Sequence, residues 1–106
     1  MLPESTIQMA GEALATEAGD SARVILFGSH ARGDADDRRD LDFLVVEAHV
    51  DDRLAEAGRL MDVVGRLGVP ADVVVVSEDH AREWGAVRDT MLHEALTQGR
   101  VVVDAA

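Results

Sequence analysis

The chain has 106 residues, 47% of them hydrophobic, with 21 acidic and 10 basic side chains and a net charge of -11. Every basic residue is an arginine, and cysteine, lysine and tyrosine are absent; this excludes a thiol nucleophile, a cysteine-built zinc site, a Schiff-base or phosphate-loop lysine and a tyrosine acid. The acidic balance argues against direct binding of nucleic acid or an anionic membrane, both of which rely on clustered Arg and Lys.

In chain order, the first element is a helix from about Pro3 to Ala18. Ile7, Ala10, Leu14 and Ala18 recur at three- and four-residue steps, with Pro3 in the first turn and Gly19 as the stop. Arg23 to Phe27 is a short aliphatic run closed by Gly28 and reads as a buried strand, as does Leu41 to Val46. Between Arg53 and Leu67 a second helical stripe runs through Leu54, Ala57, Leu60, Met61, Val64 and Leu67, with Asp51 or Asp52 as N-cap and Gly68 as stop. Val73 to Val76 has the uninterrupted apolar pattern of a strand covered on both faces. A last helix is expected to carry Trp84, Val87, Met91, Leu92, Ala95 and Leu96 up to Gly99; its stripe is read as core, or in part as a docking face for a helical partner. Val101 to Val103 adds an edge strand. Alternating helices and strands make the class α/β with a small mixed sheet and flanking helices. The length suits a single domain, residues 1–106, around one aliphatic core. No stretch approaches the ~20 apolar residues of a membrane helix, and the N-terminus lacks a basic start followed by an apolar run, so a soluble, cytoplasmic protein is expected.

Between the first two strands the hydrophobic logic stops, over Gly28-Ser29-His30-Ala31-Arg32-Gly33-Asp34-Ala35-Asp36-Asp37-Arg38-Arg39-Asp40. A glycine directly after a strand lets a ligand approach the backbone, and a helix starting at Ser29 would present free N–H groups to a phosphate; a plain turn is the simpler reading. Asp40 and Asp42 lie i and i+2 on the second strand, so both carboxylates face one side while Leu41 and Phe43 face the other. Such a pair is either a solvated acidic strand end or a site for an oxygen-liganded cation such as Mg²⁺. Asp72 opens the third strand. The glycine turn and the three carboxylates share one sheet edge only if the first strand runs antiparallel to the other two, with the helix over residues 53–67 as the crossover between parallel strands.

Gly28-Ser29-x-Ala31-Arg32-Gly33, followed by Asp40-x-Asp42 and a later Asp72 heading a valine strand, resembles the nucleotidyltransferase superfamily of DNA polymerase beta. The likeness is greatest to the minimal nucleotidyltransferases that act as antitoxins in HEPN/MNT toxin-antitoxin modules. The resemblance implies the polymerase beta-like nucleotidyltransferase fold. It implies that Gly28 and Ser29, with Arg32 as a further phosphate contact, bind the triphosphate of ATP, the nucleotide donor. It also implies that Asp40, Asp42 and Asp72 hold two Mg²⁺ ions as the catalytic centre, with Asp72 helping to activate the attacking hydroxyl. The activity implied is transfer of AMP to a hydroxyl of a partner protein, a cognate HEPN ribonuclease toxin, within a hetero-oligomer. A chain without tyrosine cannot modify itself on one, so a tyrosine acceptor has to come from the partner. The alternative is a catalytically weak or inactive binding module that neutralises its toxin by contact. Drug-modifying relatives carry acceptor domains for which this chain has no room. The residue before the first metal aspartate is often serine in this family and here is Arg39, while His30 fills a variable slot and is given no role. His93-Glu94-Ala95-Leu96-Thr97 lacks the second histidine of a zinc-protease helix. Asp34, Asp36 and Asp37 do not continue into an EF-hand loop, and His49 and His80 are expected at the surface.

Overall fold

A computed structural model describes residues 2–19, 21–33 and 40–104. Arg39 and the acidic run ahead of it, residues 34–39, lie outside them. The elements in order are α1 (Glu4–Ala18), β1 (Arg23–Phe27), α2 (Ser29–Arg32), β2 (Leu41–Glu47), α3 (Arg53–Arg66), β3 (Ala71–Ser77), α4 (Glu78–Trp84), α5 (Met91–Gln98) and β4 (Arg100–Asp104).

The four strands form one sheet in the order β3-β2-β1-β4. β1 is antiparallel to both β2 and β4, and β2 is parallel to β3, which is the mixed arrangement expected, with α3 as the crossover. Period-two alternation divides the strand side chains between two faces. Val24, Leu26, Leu41, Phe43, Val45, Val73 and Val75 pack beneath α1 and α3 with Ile7, Leu14, Leu60 and Val64. Ile25, Phe27, Leu44, Val46 and Val76 pack beneath α4 and α5 with Ala81 and Ala95. Local chemistry sets the helix starts. The Asp52 carboxylate accepts from the backbone N–H groups of Leu54 and Ala55 at 3.1 Å each, and the hydroxyls of Ser77 and Thr90 accept from His80 and His93 N–H, each at 3.1 Å, at the heads of α4 and α5.

Two expectations need correction. The single helix expected from Trp84 to Gly99 is two helices, because α4 ends at Gly85 and the chain turns, with Asp89 at φ 64°, before Thr90 caps α5. Trp84, Val87 and Met91 are consequently surface residues, 54%, 45% and 53% exposed, and of that stripe only Ala95 is fully buried, with Leu92 and Leu96 partly so. The stripe on α3 is also narrower than expected: Ala57, Leu60 and Val64 are buried whereas Leu54, Met61 and Leu67 are exposed. Three buried positions, one per turn, suffice where the helix touches the sheet along a single line.

Candidate active site

Strand register places the predicted acidic residues. Asp42 stands opposite Phe27 of β1 on one side and Asp72 of β3 on the other, in a single cross-strand row. Asp40 immediately precedes β2 and Asp72 is the second residue of β3, both exposed. All three belong to the strand positions that face α4 and α5, at the end of the sheet where β1 stops and Gly28 begins. The antiparallel β1 therefore delivers Gly28 to the side of Asp42.

Gly28 has φ 77° and ψ -155° and is the N-cap of α2; the Arg32 N–H donates to its carbonyl at 3.1 Å. A Cβ at this position would stand 2.6 Å from Asp42 Oδ2, so only a bare Cα lets the Asp42 carboxylate lie against the turn. The conformation is one that side chains with a Cβ rarely adopt. Ser29 follows as the first residue of α2, whose first-turn N–H groups have no acceptor inside the helix. Arg32 makes an ion pair with Glu94 of α5 at 3.2 Å, which ties α2 to α5.

Burial raises the Asp42 pKa above its ordinary value, and the facing carboxylates of Asp72 and Asp40, with a smaller push from Glu94, raise it further; His30 acts in the opposite sense. None of these three aspartates has an ion pair with an arginine among the described residues. Nor do any three carboxylate or imidazole side chains among the described residues gather closely enough to hold a metal ion by themselves. Facing oxygen donors that repel one another, open on one side beside a turn without a Cβ, fit Mg²⁺, which binds through one or two carboxylates and completes its shell with water and substrate phosphate rather than with an all-protein cage.

Two residues at this site were given no part by the sequence. His30, the second residue of α2, is 7% exposed, and neither ring nitrogen has a hydrogen-bond partner among the described residues. A buried polar group without a partner costs about 1 to 3 kcal/mol. Glu94 reaches the site from the far end of the chain, and no spacing rule connects it to Asp42 or Arg32. The other histidines are accounted for: His93 Nδ1 lies 2.9 Å from the Gly85 carbonyl, His80 packs at 6.4 Å from the Trp84 ring, and His49 is exposed.

The frame is that of an α/β protein: a small mixed sheet flanked by helices, with a glycine turn set against an aspartate of the neighbouring strand. The family model for the nucleotidyltransferase domain matches residues 8–96, and the chain belongs to that family. No curated protein matches it. Among solved structures, the chain is similar to a toxin-antitoxin crystallised with AMP-PNP, with a TM-score of 0.64 and 22% identity over 97% of this chain and 74% of the other. It is also similar to the Shewanella oneidensis tri-AMPylated HEPN toxin in complex with MNT antitoxin, with a TM-score of 0.57 and 19% identity over 92% and 71%. A candidate minimal nucleotidyltransferase aligns with a TM-score of 0.56 and 28% identity over 90% and 88%. No helix among the described residues is long and apolar enough to cross a membrane.

Proposed function

We propose that this chain, as a single domain, is a Mg²⁺-dependent nucleotidyltransferase that moves AMP from ATP to a hydroxyl of a partner protein, and that the partner is a cognate HEPN toxin silenced by the modification in the cytoplasm. The observation that carries the reading is the Asp42 carboxylate, held against the bare Cα of Gly28 and facing Asp72 across the β2–β3 pair. In the reaction the acceptor hydroxyl oxygen bonds to the α-phosphorus of ATP, the bond to the bridging oxygen breaks, pyrophosphate leaves and the hydroxyl proton is lost.

Gly28 and Ser29 would seat the triphosphate against the first turn of α2, with Arg32 as a further contact once it releases Glu94. Asp40 and Asp42 would hold a pair of Mg²⁺ ions, with Asp72 on one of them and beside the incoming hydroxyl. When bound, Mg²⁺ supplies the positive charge that lets phosphate and carboxylate oxygens approach each other. Phosphoryl-type transfer asks little covalent chemistry of the protein, which suits a chain without lysine, cysteine or tyrosine. The toxin-antitoxin neighbours and the AMP-PNP of one of them support the choice of partner and nucleotide.

Incubation with α-labelled ATP, Mg²⁺ and the product of the adjacent gene should transfer label to that protein, and Asp42→Asn should reduce transfer by about 10³-fold, the equivalent of roughly 4 kcal/mol of transition-state charge stabilisation. Absence of transfer, or transfer undiminished in Asp42→Asn, would overturn the reading. An Asp40→Asn, Asp42→Asn double variant that still neutralises the toxin would replace it with neutralisation by contact.

A further inference from the structure

His30 and Glu47 are the buried polar or charged side chains among the described residues. Both nitrogens of the His30 ring are unpartnered; Glu47 Oε2 is unpartnered too, but Glu47 has Glu56 and Arg59 of α3 beside it. The ring is set inward while its neighbours Arg32 and Gly33 on the same short segment are exposed. Gly28, two residues ahead of His30 and the N-cap of the same short helix, lies against the Asp42 carboxylate, so the ring belongs to the segment that abuts that side chain. A neutral imidazole carries one donor and one acceptor. An unsatisfied buried donor on the segment that abuts the Asp42 carboxylate points to a partner that takes its place when the site is filled.

Resting on the nucleotidyltransferase reading above, we infer that His30 is a positioning residue for the metal site: a ring N–H of His30 donates to the Asp42 carboxylate when cation and nucleotide bind, and fixes the orientation in which that carboxylate offers its other oxygen. The imidazole then has the place that outer-shell partners occupy behind metal ligands elsewhere, where their loss costs about 10- to 100-fold in metal affinity. The inference separates two properties that a structural role would keep together. A histidine held for packing would lower stability when replaced. One whose polar atoms are idle until the site fills would raise stability, or leave it unchanged, when an apolar side chain replaces it.

The experiment is a titration of the full chain with Mn²⁺ in the presence of AMP-PNP, read by the electron paramagnetic resonance of free Mn²⁺, together with thermal unfolding of the same samples without ligand. His30→Leu is expected to unfold at the wild-type temperature or above it and to bind Mn²⁺ about ten-fold more weakly. His30→Gln, which keeps a donor, is expected to recover most of that affinity. Wild-type affinity in His30→Leu would overturn the inference, as would a loss of thermal stability in both variants accompanied by the same loss of binding. Asp42→Asn in the same titration separates the two readings. If it binds Mn²⁺ as wild type does, the metal-site reading itself fails, and His30 falls with it. If it loses Mn²⁺ while His30→Leu does not, only the role of His30 fails.

Discussion

Strand β2 carries an acidic cluster at each end, and the two are built differently. At its start, Asp42 faces Asp72 and neighbours Asp40, with no arginine paired to any of them among the described residues. At its end, roughly 17 Å away at ~3.3 Å per residue, Glu47 points to the opposite face of the sheet and meets α3. There its carboxyl lies beside Glu56, and burial followed by that neighbour pushes its pKa up to about 7. Arg59 bonds Glu56 through Nε at 2.9 Å and Nη2 at 2.8 Å and reaches Glu17 of α1 at 2.9 Å. The second cluster is closed: burial holds one carboxyl above its ordinary pKa and an arginine of the chain pairs with the other. The first is open: it has no such partner among the described residues. Equal acidity in sequence thus separates into one cluster held by an arginine and one whose carboxylates face each other.

Disturbing the open end should have the largest effect. Gly28→Ala forces a side chain into backbone geometry at φ 77° and sets a Cβ 2.6 Å from Asp42 Oδ2. The carboxylate can swing aside, so the expected stability loss is about 1 to 3 kcal/mol from the backbone conformation alone. The displaced carboxylate should cost label transfer about 100-fold, the penalty of an ångström-scale misplacement at a reacting centre. Chemical denaturation and the transfer assay measure the two losses separately. A variant with full transfer activity would mean that the close approach of Asp42 to the turn has no part in the chemistry.

The closed end should respond to pH. Glu47 holds a proton up to about pH 7 in the fold, against an ordinary value of 4.5. Between those values the unfolded chain has lost a proton that the folded chain retains, so stability falls as pH rises across this window and levels off above it. Taken alone the Glu47 effect amounts to at most about 3 kcal/mol. The lowered pKa of Glu56, caused first by its hydrogen bond to Arg59, offsets part of it on the acid side. Denaturant midpoints between pH 4.5 and 8 should decline in wild type and decline less in Glu47→Gln, which keeps the donor and cannot ionise. Equal slopes would show that Glu47 does not hold its proton in the fold.

The contrast between the two ends was only half legible in the sequence. The glycine turn, Asp40-x-Asp42 and Asp72 announce themselves because a strand and its following turn are local, and because period two places i and i+2 on one side. Their sharing one end of the sheet depends on a single topological condition, an antiparallel first strand, which the fold meets. Glu47 and Glu56 gave no such signal: their meeting depends on how α3 lies across the sheet after the chain has turned at residues 48–52. Glu94 and His30 escaped for the same reason, since the burial of one ring and the reach of one helix are set by packing. Apolar spacing continues through the break at Gly85 and hides it, although Thr90, whose hydroxyl caps the N–H of His93 three residues on, is a signal that divides the helix.

The smallest effect expected is that of Arg59→Leu, and it tests what keeps the closed end closed. Arg59 is nearly half exposed, so solvent screens its ion pairs, and its removal should lower stability by only about 1 kcal/mol. Its effect on charge should be clearer than its effect on stability. Without the guanidinium, Glu56 loses the interaction that most favours its ionised form, and the Glu47–Glu56 pair should hold its proton to higher pH. The decline of stability with pH should therefore move upward in Arg59→Leu, while Mn²⁺ binding at the Asp42 end remains at its wild-type value, because the two clusters lie on opposite faces of the sheet. A shift in Mn²⁺ affinity would mean that β2 transmits charge or strain along its length, and the two ends would then have to be treated as one site.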